Sequence, residues 1–129
     1  MVLVDTSVWI EFLQRPSAPH AVHLARLIQD NNQAVMCGIV LQEILQGIRD
    51  GKSHALTRDL LLKLPYLETG KDVHLAASDL YRALRSKGIT VPSTDAVIAA
   101  LAMANRLPLY SKDEHFSVIA LHSRLELFA

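Results

Sequence analysis

The chain has 129 residues, 50% of them hydrophobic and 20% charged, and its 13 basic and 13 acidic side chains give a formal net charge of zero. This composition excludes disorder, and the length predicts a single domain, residues 1–129, that buries a core without disulfides. Balanced charge argues against a protein that coats nucleic acid nonspecifically, and the run of about 18 apolar residues that a membrane span needs does not occur.

Short strand-like runs alternate with longer helix-like runs along the chain, as in α/β folds. The first half is predicted to form a strand at 2–4, a helix that carries Val8 to Leu13, a helix at 20–31, a strand at 34–37 and helices at 38–50 and 54–64. The second half is predicted to form a strand at 66–69, helices at 72–87 and 93–105, a strand near Leu109, a short helix after Asp113 and a strand at 125–128. We therefore predict a three-layer α/β/α sandwich with a mostly parallel sheet of four or five strands.

The only cysteine of the sequence, Cys37, lies in the apolar run that predicts the second strand. It has no partner for an intramolecular disulfide, so we expect a buried, unreactive thiol. A reduced, cytoplasmic setting is consistent with this use of cysteine.

Four carboxylates, far apart in the sequence, are placed where an α/β sheet would bring them to one crevice. Asp5 directly follows the first strand, and Asp113 follows the strand near Leu109. Asp95 opens an Ala-rich helix, and Glu43 lies on the helix that begins at residue 38. Because the carboxyl ends of parallel strands share one edge, where ligands bind, the four acids predict a site for a hard divalent cation.

Each acid also has a purely structural explanation. Asp5 and Asp95 are residue types that cap helices. Glu43 could belong to a polar stripe on an otherwise apolar helix, and Asp113 could be a solvated loop residue. His115, close by, fits a surface or helix-start position better than a metal ligand or a base. The similar placement of the acids nevertheless favours a shared site.

Three segments carry a resemblance to a known family: VLVDTSVWIEFL at the start, GIVLQEILQGIR in the first third and STDAVIAALAMANRLPLYSKDEHFSVIA near the end. In this order and spacing they resemble a PIN domain, and more closely the toxins of VapBC-type toxin–antitoxin pairs. The resemblance covers nearly the whole chain. It implies a compact α/β/α fold, Mg²⁺- or Mn²⁺-dependent endoribonuclease activity on an RNA substrate, and homodimerisation. It also implies inhibition by a small VapB-like antitoxin, which forms a hetero-oligomer with the toxin and binds DNA through its own domain.

The resemblance further implies which residues form the site. Two hydroxyl residues, Thr6 and Thr94, match family positions that hydrogen-bond the carboxylates. The fourth acidic position varies more within the family than the other three. The acids that match, in order, are Asp5, Glu43, Asp95 and Asp113.

The chemistry of Mg²⁺ suggests how these acids divide their roles. The ion prefers octahedral oxygen coordination, keeps several waters and takes only one or two carboxylates directly. We expect Asp5 and Asp95 to contact it, and Glu43 and Asp113 to act through water or a second ion. Glu43 or Asp113 could accept the proton of the metal-activated water that attacks the phosphodiester. This route leaves a 5′-phosphate and a 3′-hydroxyl.

Three other functions would each need particular residues at this edge of the sheet or a loss of cleavage. A receiver-like signalling module would place Lys112 near the site, but its central phosphoacceptor would fall on Glu68 instead of an aspartate. A phosphatase of small substrates would need an Asp-x-Asp pair, and the second acid is missing after Asp5. A PIN-like domain that binds RNA or a partner without cleavage stays open as an alternative.

Overall fold

The computed structural model describes residues 1–128, in which four short strands form one parallel sheet. The strands are β1 (Val2–Val4), β2 (Ala34–Cys37), β3 (Tyr66–Leu67) and β4 (Leu109–Tyr110). Their order is β3-β2-β1-β4, so that Leu3 in the centre pairs with Val35 on one side and Leu109 on the other. The prediction of a mostly parallel sheet is confirmed.

Helices pack in two groups around this sheet. Within residues 1–128 they are α1 (Thr6–Gln14), α2 (Pro19–Gln29), α3 (Gly38–Gln46), α4 (Gly51–Leu61), α5 (Lys71–Ser86), α6 (Ser93–Ala104) and α7 (Glu114–Leu121). Helix α1 contacts α2 and α3, while α6 contacts α5 and α7. The predicted α/β/α architecture is confirmed. None of the helices in this described part of the chain combines the length and the hydropathy that crossing a membrane requires.

Two predicted helix boundaries shift because Asp50, predicted as the last residue of one helix, caps the next helix instead. Helix α3 ends at Gln46, four residues before its predicted end, and α4 already begins at Gly51. The carboxylate of Asp50 accepts hydrogen bonds from the backbone nitrogen of Ser53 at 2.8 Å and from its hydroxyl at 2.7 Å. Such an N-cap satisfies the first amides of α4, so the helix starts directly after Asp50.

The predicted fifth strand at 125–128 is reduced to a single parallel bridge between Leu109 and Leu127. Leu109 donates to the carbonyl of Glu126 at 2.9 Å and accepts from the backbone nitrogen of Phe128 at 2.8 Å. The segment therefore lies beside β4 without extending into a strand. The predicted domain ends at Ala129, which lies outside the described residues.

The core explains why β1 and β2 are apolar throughout: every residue of both strands is buried. Parallel strands covered by helices on both faces read as continuous hydrophobic runs, as these do. Trp9 is fully buried on α1, and Cys37 is a buried free thiol. Helix α6 is mostly buried as well, and its many alanines allow close packing against its neighbours.

The order of the strands fixes where a ligand can bind. From β1 the chain passes to β2 and β3 on one side, and then crosses to β4 on the other side of β1. The direction of winding therefore switches between β1 and β4. In open α/β sheets, binding crevices form outside the carboxyl ends of the strands at such a switch point. Asp5 and Ser111 directly follow β1 and β4 there.

The depth of the core can be tested on α6. Leu101 is fully buried, so we expect Leu101→Ala to lower the free energy of unfolding by about 2–5 kcal/mol through lost burial and a residual cavity. Leu121, at the end of α7, is 81% exposed, and the same substitution there should change stability by less than about 0.5 kcal/mol. Urea unfolding measures both variants. Equal losses would contradict this packing.

Candidate functional site

Asp5 is held at the carboxyl end of β1 by hydroxyl groups from two different elements. It caps α1, and its side chain is buried. The Oδ2 atom accepts hydrogen bonds from the hydroxyls of Ser7 and Ser111, both at 2.8 Å, and a longer one of 3.4 Å from the backbone nitrogen of Ser7. All three donors contact Oδ2, which leaves Oδ1 available to a further partner. Asp5 thus caps a helix while one of its oxygens stays open to a ligand.

Glu43 lies close to the same region, on the helix that follows the neighbouring strand β2. Helix α3 begins directly after β2, and the half-buried Glu43 accepts a hydrogen bond of 2.9 Å from the hydroxyl of Thr6 to Oε1. Gln42 and Gln46, on the same helix, are exposed and contact each other instead. The polar-stripe explanation therefore suits the two glutamines and not Glu43. Thr6 makes the kind of contact that was predicted for it.

Asp95 is buried in the first turn of α6, where Pro92 occupies the N-cap position. Its Oδ2 atom lies 2.9 Å from Nδ1 of His115. The pKa of Asp95 is raised to about 6, chiefly by burial and also by the negative charges of Asp5 and Asp113, while the hydrogen bond to His115 opposes the shift. A carboxylate that is buried among other carboxylates resists ionisation, which is the electrostatic state expected where a cation is needed.

Asp113 caps α7 by accepting a hydrogen bond of 2.9 Å from the backbone nitrogen of His115 to Oδ1. The same oxygen lies 3.1 Å from Nδ1 of His115. Its own backbone nitrogen donates to the hydroxyl of Ser111 at 2.9 Å, which links the loop to the Asp5 carboxylate. The loop explanation for Asp113 is therefore incomplete, since this residue belongs to the same network.

The most central side chain of this network is His115, for which a surface or helix-start position was preferred to a role as metal ligand or base, and two of its hydroxyls, Ser7 and Ser111, were not predicted as parts of the site. His115 is half-exposed, as expected, but its ring nitrogen lies between Asp95 and Asp113, and the three residues offer one ligand atom each within 4.8 Å of one another. The sequence did contain a signal for the position of His115, because a histidine two residues after an aspartate cap is brought to the helix start together with that aspartate. Ser7 and Ser111 were identifiable only as hydroxyl residues that follow adjacent strand ends.

Thr94, predicted as a supporting hydroxyl, forms no side-chain hydrogen bond with an acid within residues 1–128. It lines a cavity of about 390 Å³ beside the site, together with Gly38 and Tyr66. Its supporting role remains a prediction. Lys112 also lies apart from the carboxylates of the site, because its ammonium group pairs with Glu11 at 2.6 Å and holds the pKa of Glu11 below its ordinary value. The lysine of a receiver-like site is therefore not reproduced.

The predicted acids act electrostatically on neighbouring groups. The charges of Asp5 and Asp113 act on Asp95, and those of Asp5 and Glu43 contribute to the raised pKa of Cys37, which burial chiefly causes. A hard divalent ion prefers oxygen ligands, and several carboxylates here supply them. One of these carboxylates, that of Asp95, has a pKa raised chiefly by burial. The residues present therefore fit a divalent metal.

A parallel α/β fold with a cluster of carboxylates at its switch point defines a class of domains built to hold divalent metal at the sheet edge. A family model described as the PIN domain matches residues 2–121. The chain therefore belongs to the PIN domain family.

Individual relatives agree with this membership. The chain is 35% identical to Ribonuclease VapC11 of Mycobacterium tuberculosis over 129 residues, which cover 98% of this chain and 96% of that protein. Its fold is similar to a chain of VapBC2 from Rickettsia felis bound to a promoter DNA fragment, with a TM-score of 0.82, 20% identity and coverage of 99% and 98% of the two chains. It is also similar to VapC20 of M. tuberculosis, a toxin that cleaves the sarcin-ricin loop, with a TM-score of 0.67, 19% identity and coverage of 92% and 94%.

The raised pKa of Asp95 predicts a pH-dependent effect of Asp95→Asn in metal-free buffer. An acid whose pKa rises from 3.8 to about 6 on folding contributes most stability below its unfolded pKa, and this contribution is lost as pH climbs through the folded pKa. At about pH 7.5 the substitution should raise the free energy of unfolding by on the order of 1 to 2 kcal/mol, less than the full shift because asparagine weakens the contact with His115. At about pH 4 the effect should vanish.

Urea unfolding at both pH values, with a chelator present, measures this difference. Asp79→Asn is the matched control, because Asp79 is exposed on α5. An Asp95→Asn effect that is the same at both pH values, or the same as that of Asp79→Asn, would contradict the electrostatic description of the site.

Proposed function

We propose that this chain is a Mg²⁺- or Mn²⁺-dependent endoribonuclease, the toxin of a VapBC-type toxin–antitoxin pair, folded as one domain over residues 1–129. The observation that carries the proposal is the hydrogen-bonded network that joins Asp5, Asp113 and Asp95 at the switch point of the sheet, together with the bond from Thr6 to Glu43 nearby. Similarity to VapC ribonucleases over nearly the whole chain supports the choice of RNA as the substrate. A cytoplasmic location, where RNA and an antitoxin are both accessible, belongs to this proposal.

The acids divide into those that hold an ion and those that act beside it. Asp5 offers Oδ1, because its Oδ2 is already engaged by Ser7 and Ser111, and Asp95 offers a buried carboxylate. Glu43 and Asp113 act through water or toward a second ion. The chemistry that a divalent ion held by these residues would supply is a lowered pKa for a coordinated water and an offset of charge on the phosphate.

Glu43 is our assignment for the proton acceptor. The hydroxyl of Thr6 fixes Oε1, so Oε2 is left to take a proton from the attacking water. The water oxygen forms a new bond to phosphorus, the bond from phosphorus to the 3′-oxygen breaks, and that oxygen leaves as a hydroxyl after it takes a proton from solvent water, while Glu43 later returns its proton to solvent. The products are a 5′-phosphate and a 3′-hydroxyl, and the ribose 2′-hydroxyl does not take part. Intact acids favour this reaction over RNA binding without cleavage.

A VapB-like antitoxin is the proposed partner, in a hetero-oligomer built on a toxin homodimer. A groove of about 420 Å³ between α1, α3 and α4 has apolar walls from Ile10, Leu13 and Ile48, and Leu56 beside it is 63% exposed. Glu43 lies on the wall of this groove. An antitoxin segment with apolar side chains would therefore cover the groove and reach the site at the same time.

Cleavage of total RNA by purified, antitoxin-free protein tests the proposed function. We expect discrete cuts with 5′-phosphate ends in Mn²⁺ or Mg²⁺ and none in EDTA. Asp5→Ala and Asp95→Asn should abolish them, and Glu43→Gln should slow cleavage on the order of 100-fold or more, because it removes the proton acceptor.

Asp79 is exposed in the middle of α5, so Asp79→Asn serves as the control and should cleave RNA as the wild type does. If a folded, metal-binding protein cuts no RNA, the binding-only alternative replaces the nuclease. If cleavage survives both Asp5→Ala and Asp95→Asn, the active site has been assigned to the wrong residues.

A further inference from the structure

His115 occupies an unusual place between two of the acids. It is the second residue of α7, and its backbone nitrogen donates to Oδ1 of the Asp113 cap. Its ring atom Nδ1 lies 2.9 Å from Oδ2 of Asp95 and 3.1 Å from Oδ1 of Asp113. Asp95 and Asp113 come from different helices, so the imidazole is the group that connects α6 to the start of α7 at the site.

These separations match those of neighbouring ligands on one ion. In an octahedral complex with metal–ligand distances near 2.1 Å, adjacent ligand atoms lie roughly 3 Å apart. The two distances from Nδ1 have this length, and the ligand atoms of all three residues lie within 4.8 Å of one another. Two carboxylate oxygens and one imidazole nitrogen are thus already spaced to share a single cation.

A hydrogen bond alone satisfies fewer of these three atoms than a bound ion would. One N–H at Nδ1 is shared between two carboxylate oxygens, whereas an ion in its place contacts the nitrogen and both oxygens together. Ligation requires the tautomer with its proton on Nε2, and the side chain of His115 is 48% exposed, so that proton can be hydrated.

We propose that Asp95 and Asp113 share the second ion considered above, and that His115 is its nitrogen ligand and makes this position bind Mn²⁺ in preference to Mg²⁺. The inference rests on the proposed metal-dependent function and adds to it a ligand outside the four acids. Mg²⁺ is a hard ion that takes oxygen ligands, so an imidazole contributes little to its binding. Mn²⁺ binds imidazole less strongly than the later first-row transition ions do, but it is softer than Mg²⁺, so the same nitrogen ligand contributes more to the binding of Mn²⁺ than to that of Mg²⁺.

Pulsed electron paramagnetic resonance of the Mn²⁺-loaded full-length protein is the first test, and it needs no substitution. The wild type should show ¹⁴N coupling from a coordinated imidazole. His115→Ala should lose that coupling, while His122→Ala, an exposed histidine at the other end of α7, should keep it. Absence of nitrogen coupling in a wild-type protein that binds Mn²⁺ would overturn the inference and leave the proposed function intact.

Calorimetric titration of the metal-free proteins with Mn²⁺ and Mg²⁺ is the second test. His115→Ala should weaken Mn²⁺ binding by about tenfold or more and change Mg²⁺ binding by less than about threefold. His115→Asp, which substitutes an oxygen ligand, should bind Mg²⁺ at least as tightly as the wild type and lose the preference for Mn²⁺. Circular dichroism and the melting temperature confirm that each variant is folded.

The outcomes separate the inference from the function on which it rests. If His115→Ala strengthens the binding of both ions, the imidazole competes with the metal, and the inference is wrong. Equal weakening of both ions would remove the proposed selectivity. If the wild type binds neither ion, the metal-dependent function fails together with the inference.

Discussion

Two serine hydroxyls hold the carboxylate of Asp5 where β1 and β4 end, and the rest of the site is arranged around this contact. Ser111 bonds both to Asp5 and to the backbone of Asp113, so one hydroxyl sets the distance between the first strand and the loop before α7. Because β1 and β4 are neighbours only through the order of the sheet, the site exists only in the folded domain. Its geometry therefore depends on the pairing of β1 with β4, whose residues are all buried.

The fold must bring together charges that repel one another. Two carboxylates about 5 Å apart repel by roughly 3 kcal/mol at an effective dielectric constant near 20. Burial of Asp95 adds to this cost, and its pKa of about 6 records the combined effect. The apolar core on both sides of the sheet offsets the repulsion, since it is continuous from β1 to α6. The close carboxylates lower the free energy of unfolding, and this loss accompanies the negative charge that a cation site needs.

Local signals in the sequence were sufficient to predict β1, β2 and the placement of Asp5, Asp95 and Asp113 near one edge. Apolar runs that end in a polar residue are visible without any knowledge of the sheet order. The hydroxyl partners were not predictable in this way, because Ser111 reaches Asp5 across 106 positions and only through the adjacency of β1 and β4. The direction of the His115 ring likewise depends on how α7 packs against α6. The strand at 125–128 was overestimated because an apolar pattern does not reveal how many residues pair.

Helix capping and ion binding, treated as alternatives at the sequence level, are compatible at this site. Asp5 and Asp113 cap α1 and α7, and Asp95 lies in the first turn of α6, so three helix N-termini converge on the crevice. The positive end of each helix dipole stabilises a nearby carboxylate. Asp5 and Asp113 also receive backbone hydrogen bonds as caps, whereas within residues 1–128 the Asp95 carboxylate accepts none from the backbone. Burial raises the pKa of Asp95, so a cation beside this carboxylate would favour its ionised form.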